Sequence, residues 1–323
     1  MRTQPADLSL TDLTNTLGRY WRRDIINIRY LPVGAGSQHW LAVDSANVRW
    51  FVTVDDLRRA RIAPSESAAF GVLEAAWHSA VWLRDAGLEF VVAPEPAVDG
   101  SLVRRVGAHY AVTLFVYYDA EPVGDGDYPA DELRGEVVEL IGRLHAAGPF
   151  GTARPVTIPG RAGLDGEWAA GPYSTPARRL LAANRSAVET ALERFDRVAA
   201  RVAGGPAVLT HGEPHSANVL RRSDGRLLLI DWDTVESAVR ERDLAGILPG
   251  GEEDRWWPRY RSVSGAAGVS NDAMRLYRAW WDLAEICEYV TRFRLPHDDD
   301  ADHRDAWDDL QQYLPLSPEL LLE

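Results

Sequence analysis

The stretch from residue 211 to residue 233 contains three oxygen-bearing side chains at a spacing suited to chemistry on a phosphate group. Glu213 lies two residues after His211, and Asn218 and Asp231 follow along the chain. A carboxylate can take the proton of an attacking hydroxyl, while an amide oxygen and a second carboxylate can bind Mg²⁺ against phosphates. We therefore expect Glu213 to be a general base and Asn218 and Asp231 to be metal ligands.

A β-hairpin is the element that must bring these side chains together. Residues 218–222 and 226–232 have strand character and are joined by a Ser-Asp-Gly turn signal. Because the two strands pair, we expect Asn218 and Asp231 to approach each other. The loop before the first strand then directs Glu213 toward the same place.

Two other functions of these residues fit the sequence less well. His211 and His215 are four residues apart, but a zinc peptidase needs glutamate directly after the first histidine of a helix, and Pro214 would break that helix. A serine hydrolase is disfavoured because the sequence has no Gly-x-Ser-x-Gly elbow. The aspartates on either side of Trp232 could be ordinary hairpin-end residues, but the nearby Glu213 makes the catalytic interpretation stronger.

The first hundred or so residues predict a small antiparallel sheet with one helix. Apolar and β-branched runs predict strands at 27–33, 38–43, 48–54, near Ala97 and at 110–115. A helical period runs from residue 64 to residue 86. The first two strands are joined by a glycine turn at residues 34–37.

The rest of the chain predicts a mainly helical region. Apolar positions at helical spacing predict helices over 131–147, from 175 to about 202, and over 271–294. The length of 323 residues favours two lobes over a single core. We expect the first lobe to span residues 1–114, a hinge to span 115–120, and the second lobe to span 121–323.

Composition narrows the classes of function. All 35 basic residues are arginine, so a Walker A loop and a lysine Schiff base are excluded within this chain. The net charge is −13, and nearly all the excess acid lies after residue 120, which would repel nucleic acid and attract cationic small molecules. No apolar stretch suggests a membrane span or a secretion signal. We expect a cytoplasmic protein without nucleic-acid or membrane partners; the oligomeric state is open.

The stretch from His211 to Asn218, followed by Asp231, resembles the aminoglycoside phosphotransferase and small-molecule kinase family, which shares the protein-kinase fold. The resemblance extends to the glycine turn, the three-strand start and the segment Arg242-Asp243-Leu244. It implies an α+β, bilobal fold with a small antiparallel sheet lobe and a mainly helical large lobe. It also implies Mg²⁺-dependent transfer of a phosphoryl group from ATP or GTP to a hydroxyl of a cationic small molecule. An aminoglycoside or related antibiotic is the leading acceptor, and a sugar or biosynthetic intermediate is the alternative.

The resemblance also assigns binding residues. Those expected to contact the nucleotide are Gly34, Gly36, Ser37, Thr53, Phe115 and Tyr117. For the acceptor, the helix over 271–294 offers Asp282 and Glu285. Arg278 with Asp282, and Glu288 with Arg292, stand at i,i+4 spacing, so ordinary surface ion pairs are the alternative.

Two positions depart from the family pattern. Glu213 stands where the family most often has aspartate, and Thr53 stands where the third strand should offer lysine to the phosphates. Two replacements for the lysine are open, namely an arginine among residues 58, 59 and 61 or the backbone amides of residues 34–37. The missing lysine also keeps open a second class of function, a pseudokinase-like binding protein.

Overall fold

The chain folds into two compact units. The computed structural model describes residues 1–59, 65–148, 151–153 and 155–317. The first unit comprises Met1–Pro129 and His211–Val235, and the second comprises Ala130–Thr210 and Glu236–Glu323. These units differ from the lobes expected from the sequence, because the hairpin segment packs with the N-terminal residues.

The first unit contains a five-stranded antiparallel sheet in the order β1-β2-β3-β5-β4. Its strands are β1 (Ile25–Leu31), β2 (Gln38–Asp44), β3 (Arg49–Asp56), β4 (Val103–Val106) and β5 (Tyr110–Val116). The three-strand start is as predicted. The strand expected near Ala97 is wrong, because Gly100 N–H bonds to Ala97 O in a turn and the strand begins at Val103.

Side chains of β3 alternate between the two faces of this sheet, as a pleated strand requires. Val52 and Val54 are fully buried in the core formed with α1 (Leu10–Trp21). On the other face lie Phe51, Thr53 and Asp55, together with α2 (Glu66–Asp85), whose Trp77 ring meets Phe115 of β5 edge-on at 5.2 Å. This second face of the sheet carries the residues of the first unit that belong to the candidate active site.

A smaller three-stranded sheet completes the first unit. Its order is β6-β8-β9, formed by β6 (Ala120–Pro122), β8 (Val219–Arg222) and β9 (Leu227–Leu229). Leu229 N–H donates to Phe90 O at 2.7 Å, and Leu229 O accepts from Val92 N–H at 3.1 Å. The predicted hairpin is therefore formed, and it is joined by backbone hydrogen bonds to the segment that follows α2.

The second unit is mainly helical. Its helices are α3 (Asp131–Ala146), α4 (Ser174–Val202), α5 (Glu241–Ile247), α6 (Glu253–Ser264), α7 (Asn271–Arg294) and α8 (Ala301–Tyr313). Its core is built chiefly from the apolar faces of α4 and α7. A short ladder pairs β7 (Val208–Thr210) with β10 (Glu236–Ala238). No helix in the described part of the chain has the length and apolar character needed to cross a membrane.

Helix boundaries in this unit follow local signals that the sequence carries. The predicted helix over 271–294 is found with those bounds, since the Ser270 hydroxyl caps its first turn by accepting from Ala273 N–H at 3.2 Å. The helix predicted over 131–147 ends one residue earlier, and the helix predicted from 175 starts one residue earlier. The predicted helix start at residue 64 lies outside the described residues.

Candidate active site

The loop before β8 is fixed from within by His211, which is fully buried. Its Nε2–H donates to Ile230 O at 2.8 Å, and its Nδ1 accepts from Glu213 N–H at 3.2 Å. The imidazole ring also lies edge-on to the buried Trp232 ring at 4.6 Å. His211 therefore joins the start of the loop to the end of β9 and sets the backbone position of Glu213.

The same loop is held from outside by the segment around residues 124–128. The Ser216 hydroxyl donates to Asp127 O at 2.8 Å and accepts from Gly126 N–H at 3.0 Å. Tyr128 donates its hydroxyl hydrogen to Pro214 O. A Cβ at Gly124 would lie 2.5 Å from the Ser216 hydroxyl and 2.8 Å from Asp127 O, so the segment approaches too closely for any side chain there.

Asn218 closes the loop onto Glu213. Its Nδ2 donates to Glu213 O at 2.9 Å, and its backbone carbonyl accepts from Ile230 N–H at 3.0 Å. Because the amide nitrogen is occupied in this way, the carbonyl oxygen Oδ1 is the atom that remains to act as an acceptor. An oxygen acceptor is what a hard cation requires.

Asp231 adopts a backbone conformation that is costly for a residue with a side chain. Its φ of 66° and ψ of 61° are left-handed, directly after Ile230 and before the short turn Trp232–Thr234. Trp232 is fully buried and donates its Nε1–H to Leu229 O at 2.8 Å, which holds the turn in place. Strain of this kind is concentrated at functional sites, where the surrounding structure enforces it.

Four carboxylates of the first unit act on one another electrostatically. Burial raises the pKa of Asp231 well above its usual range, and the charges of Asp233, Glu213 and Asp55 raise it further. Burial also raises the pKa of Asp55 to about 7, with a smaller contribution from Asp233, while the hydrogen bond from Ser37 opposes the shift. Glu213 thus contacts Asn218 through its backbone carbonyl and acts electrostatically on Asp231, and the catalytic and metal-binding roles of the three residues stay predictions.

These acids do not form a complete metal cage by themselves. Across the residues that the structure describes, no three histidine, cysteine, aspartate or glutamate side chains are arranged to hold a metal ion. A cation bound at one or two carboxylates takes its remaining ligands from water or from substrate phosphates, which is the usual manner of Mg²⁺ binding. The donor set of one amide oxygen and neighbouring carboxylates fits such an ion.

The glycine turn between β1 and β2 is connected to this acidic group. Gly34 and Gly36 have φ values of 68° and 88°, which favour glycine. The Ser37 hydroxyl at the end of the turn donates to Asp55 Oδ1. The turn and the acidic group are therefore linked by one hydrogen bond through β3.

Thr53 lies in the middle of β3, paired in register with His39 on β2 and Thr113 on β5. It is 8% exposed, and its Oγ1 is 3.3 Å from His39 Nδ1. Burial lowers the pKa of His39 to about 4, with a further lowering by a neighbouring positive charge, so its imidazole is neutral at physiological pH. Thr53 and His39 are themselves polar and uncharged, and the positive charge at the glycine turn is the ammonium group of Met1, which donates to Val33 O at 3.2 Å and to Gly34 O.

Arg58 is already paired. Its Nε and Nη2 each contact Asp56 at 2.7 Å, and its Nη1 contacts Asp7 at 2.9 Å. Residue 61 and the side chain of residue 59 lie outside the described part of the chain. Of the three arginines considered as replacements for the lysine, the structure shows Arg58 pairing with acids of its own region.

Phe115 and Tyr117 lie at the end of β5 and just after it. Phe115 is in register with Phe51 of β3, and its ring is buried beneath α2. Tyr117 N–H donates to Arg49 O at 3.2 Å, and the Arg49 guanidinium lies over the Tyr117 ring at 4.8 Å. The segment expected to form a hinge thus continues the sheet by one more backbone hydrogen bond.

Asp282 and Glu285 belong to α7 of the second unit, whereas the other predicted site residues belong to the first. Burial raises the pKa of Asp282 to about 6, and the charge of Glu285 raises it further. The expected alternative pairing of Arg278 with Asp282 is not what the structure shows, because Arg278 Nη2 contacts Glu253 Oε1 at 2.8 Å.

Asp55 is the site residue that the sequence interpretation missed. Its position two residues after Thr53 places it on the same face of β3, which strand periodicity predicts, but its interactions with Ser37 and Asp233 have no signal in the sequence. Asp233 was visible in the sequence but had been given only the role of a hairpin-end residue.

Asp55 gives the metal-free protein a distinctive pH dependence. Its pKa is about 7 when folded and near 3.8 when unfolded, so between these values only the folded state keeps the proton. The contribution of the Asp55 carboxyl to the free energy of unfolding is therefore greatest below about pH 4 and is lost as the pH rises toward 7. We expect an Asp55→Asn variant to gain stability relative to the parent protein across this window and to keep a constant difference above it. Urea unfolding at pH 4 to 8 in a chelator measures the difference, and a difference that is independent of pH contradicts the expectation.

Comparison with known proteins agrees with this architecture. A family model described as "Phosphotransferase enzyme family" matches residues 28–280. Protein StrN of Streptomyces griseus is 32% identical over 270 residues, which cover 76% of this chain and 78% of StrN.

Solved structures of low sequence identity share the fold. Spectinomycin phosphotransferase, solved with ADP and spectinomycin, has a TM-score of 0.71 at 14% identity, over 98% of this chain and 97% of that chain. Amicoumacin kinase, solved with AMP-PNP and Ca²⁺, has a TM-score of 0.59 at 13% identity, over 94% and 92%. Choline kinase from Streptococcus pneumoniae has a TM-score of 0.56 at 16% identity, over 94% and 98%. These likenesses confirm the predicted α+β, protein-kinase-like fold. With the family model covering most of its length, the chain belongs to the phosphotransferase enzyme family that includes the aminoglycoside phosphotransferases.

Proposed function

We propose that the protein transfers the terminal phosphoryl group of ATP or GTP to a hydroxyl group of a cationic small molecule, with Mg²⁺ as the metal. The observation that carries this proposal is the convergence of Glu213, Asn218 and Asp231 at one end of a hairpin. Backbone strain at Asp231 supports the same conclusion, since it is a cost that a merely structural hairpin would avoid.

Glu213 is the proposed general base. Its backbone N–H and C=O are both held, by His211 and by Asn218, so the start of its side chain is fixed. Its carboxylate takes the proton of the acceptor hydroxyl as the oxygen attacks the phosphoryl group. Glutamate reaches about one carbon–carbon bond further than aspartate, and we infer that this loop is built around the longer side chain.

Asn218 Oδ1 and the Asp231 carboxylate are the proposed ligands of Mg²⁺. When bound, the ion neutralises charge on the phosphate oxygens. The raised pKa of Asp231 supports this assignment, because desolvation and the charges of the neighbouring acids disfavour its ionised carboxylate, and a bound cation would offset both effects. The protein's own contribution is to hold both oxygens in place through β8, β9 and the turn after Asp231.

The nucleotide is proposed to lie along the glycine turn, at Gly34, Gly36 and Ser37, with Thr53 beneath. Phe115 and Tyr117 would contact the base. Structures of the same fold solved with ADP and with AMP-PNP support a nucleotide as co-substrate. The neutral hydrogen-bonding groups of Thr53 and His39 supply donors there without the charge of a lysine.

The acceptor is proposed to be recognised in part by Asp282 and Glu285. Glu285 is buried and Asp282 is partly buried on the same helix, and a bound ammonium group would offset their mutual repulsion. Antibiotics are the leading class, because a spectinomycin phosphotransferase and an amicoumacin kinase share the fold. A choline-like amine, a sugar or a biosynthetic intermediate is the alternative class, in keeping with the choline kinase.

Thr53 favours a second candidate function, a pseudokinase-like binding protein. The residue places no positive charge on the third strand, and Arg58 is paired with Asp56 and Asp7. Such a protein would keep the fold and a ligand site while lacking phosphoryl transfer.

Nucleotide binding separates these two candidates. We expect Mg²⁺-ATP or Mg²⁺-GTP to raise the melting temperature beyond the effect of the same Mg²⁺ concentration alone, because a ligand that binds only the folded state stabilises it. Differential scanning fluorimetry measures the shift. An equal melting temperature with and without either nucleotide contradicts the enzyme proposal and favours the binding protein.

The acceptor is found by screening. Nucleotide consumption is measured over a panel of aminoglycosides, other amino-containing antibiotics, choline-like amines and sugars, with a neutral analogue matched to each amine. Selective turnover of the amines supports the assignment of Asp282 and Glu285, and an Asp282→Asn variant should then raise KM for the amine more than it lowers kcat. Preference for the neutral analogues contradicts the cationic class.

A further inference from the structure

Asp55 is a partly buried acid that the proposed reaction does not yet use. It lies near the end of β3, on the same face as Phe51 and Thr53, and pairs in register with Ala111 of β5. A carboxylate on such a face is unfavourable unless its oxygens find partners. Its two oxygens differ in this respect.

One oxygen of Asp55 is held and the other is not. Oδ1 accepts the hydrogen bond from the Ser37 hydroxyl. Oδ2 is inaccessible to solvent and receives no hydrogen bond from the residues that the structure describes. Buried polar atoms in native proteins nearly always have a partner, so an orphaned carboxylate oxygen suggests a partner that arrives with a ligand.

Asp44 shows how the same sheet treats a buried acid of purely structural role. Its Oδ1 accepts from Ala46 N–H at 3.0 Å and Val48 N–H at 2.9 Å, and its Oδ2 accepts from Trp50 Nε1–H at 2.9 Å. The hydrogen bonds from Trp50, Val48 and Ala46 lower its pKa even though burial, the largest influence, opposes them. Asp55 has none of this compensation at Oδ2.

The nearby charges identify the missing partner as a cation. Asp231 and Asp233 are the acids whose charges interact with that of Asp55, and both interactions are repulsive. A divalent cation bound among these acids would attract each carboxylate and so outweigh the repulsion between them. Carboxylate oxygens are the ligands that Mg²⁺ and Mn²⁺ prefer.

We propose that Asp55 is a third protein ligand of the divalent cation, binding through Oδ2 beside Asn218 and Asp231. This inference rests on the proposed function for the identity of the other two ligands. Asp55 lies two residues, or roughly 7 Å, along β3 from Thr53. The cation it binds therefore brings positive charge to the strand that lacks a lysine. The hydrogen bond to Ser37 further links the glycine turn to the cation.

The test is Mn²⁺ binding by the metal-free protein without nucleotide. Free Mn²⁺ is measured by electron paramagnetic resonance in a titration of the parent protein and of Asp55→Asn. We expect the variant to lose at least the roughly tenfold in affinity that loss of an outer-sphere partner costs. The metal-free variant should also melt at a higher temperature than the metal-free parent, because a neutral amide removes the repulsion. That gain distinguishes lost ligation from a failure to fold.

Two further variants complete the experiment. Asp44→Asn should melt at a lower temperature yet keep the parent affinity for Mn²⁺, since it removes a satisfied structural acid of the same sheet. Ser37→Ala leaves the Asp55 carboxylate in place and should retain most of the affinity. An unchanged affinity in Asp55→Asn, an equal loss in Asp44→Asn or Ser37→Ala, or no Mn²⁺ binding by the parent would overturn the proposal.

Failure of this inference can be distinguished from failure of the proposed function. Phosphoryl transfer by an Asp55→Asn protein of unchanged Mn²⁺ affinity would refute the ligand and leave the function intact. Mn²⁺ binding that depends on Asp55, in a parent protein that neither binds nucleotide nor turns it over, would refute the function and leave the ligand intact.

Discussion

A Glu213→Gln variant should lose turnover by a factor on the order of 10²–10⁴ while binding nucleotide as the parent protein does, because an amide cannot accept the hydroxyl proton. The backbone N–H and C=O of residue 213 still bond to His211 and Asn218 in the variant, so the loop keeps its position. The measurement is kcat and KM with an acceptor found in the screen, together with nucleotide affinity by calorimetry. A fall in kcat at constant nucleotide affinity identifies an interaction made during the chemical step.

A matched control and a shorter acid sharpen this prediction. Glu121→Gln makes the same chemical change at an exposed position of β6 in the same unit and should leave kcat unchanged. Glu213→Asp keeps the charge but withdraws it by about one bond, and a misplacement near 1 Å can cost about a hundredfold. We therefore expect the turnover of Glu213→Asp to lie between that of the parent protein and that of Glu213→Gln. Parent-like turnover in Glu213→Gln would refute the assignment of the base.

The hairpin illustrates what the sequence alone can predict about a site. Glu213, Asn218 and Asp231 are close in the chain, and two short paired strands carry them. Local strand pairing and turn signals therefore suffice to group them in the sequence, although the segment at residues 126–128 also holds the loop. The same local signals predicted β2, β3 and α7 closely, because their apolar periods are strong and their ends carry turns or caps.

Asp55 shows the limit of prediction from local sequence signals. Its partner at the site is Ser37, eighteen residues earlier, and its repulsion from Asp233 depends on how β3 lies relative to the turn after β9. Neither relation is visible as a motif. The wrong prediction of a strand near Ala97 had a local cause instead. The strand that forms there is β4, and its two adjacent arginines weaken its apolar pattern.

The division into compact units also depends on non-local pairing. β6 pairs with β8, and Val123 N–H donates to Val219 O at 2.9 Å across nearly a hundred residues. Helical periodicity after residue 120 suggested one continuous second lobe. The long-range β-pairing instead assigns residues 211–235 to the compact unit that contains the five-stranded sheet.

An Asp243→Ala variant should lose about 3 kcal/mol of unfolding free energy, because it leaves a buried imidazole N–H without the carboxylate that accepts from it. Asp243 of α5 is fully buried, and its Oδ2 is 2.9 Å from Nε2 of His145 on α3. The His145 Nδ1 is in turn 2.7 Å from the Tyr260 hydroxyl of α6. With Nε2–H donating to the carboxylate, Nδ1 accepts from tyrosine, so the network needs all three groups. Urea unfolding, followed by a signal from the second unit, measures this loss of unfolding free energy.

The size of that loss separates a buried network from an ordinary ion pair. Tyr260→Phe removes only a hydroxyl and should cost about 1–2 kcal/mol, since it leaves the His145–Asp243 contact intact. Asp196→Ala breaks the exposed pair with Arg161, whose atoms are 2.8 Å apart, and should change stability little because solvent already screens it. If Asp243→Ala cost no more than Asp196→Ala, the network would not be holding α3, α5 and α6 together. The expected order, with Asp243→Ala the most damaging, follows from burial: removing the carboxylate leaves an imidazole N–H in a place that water does not reach.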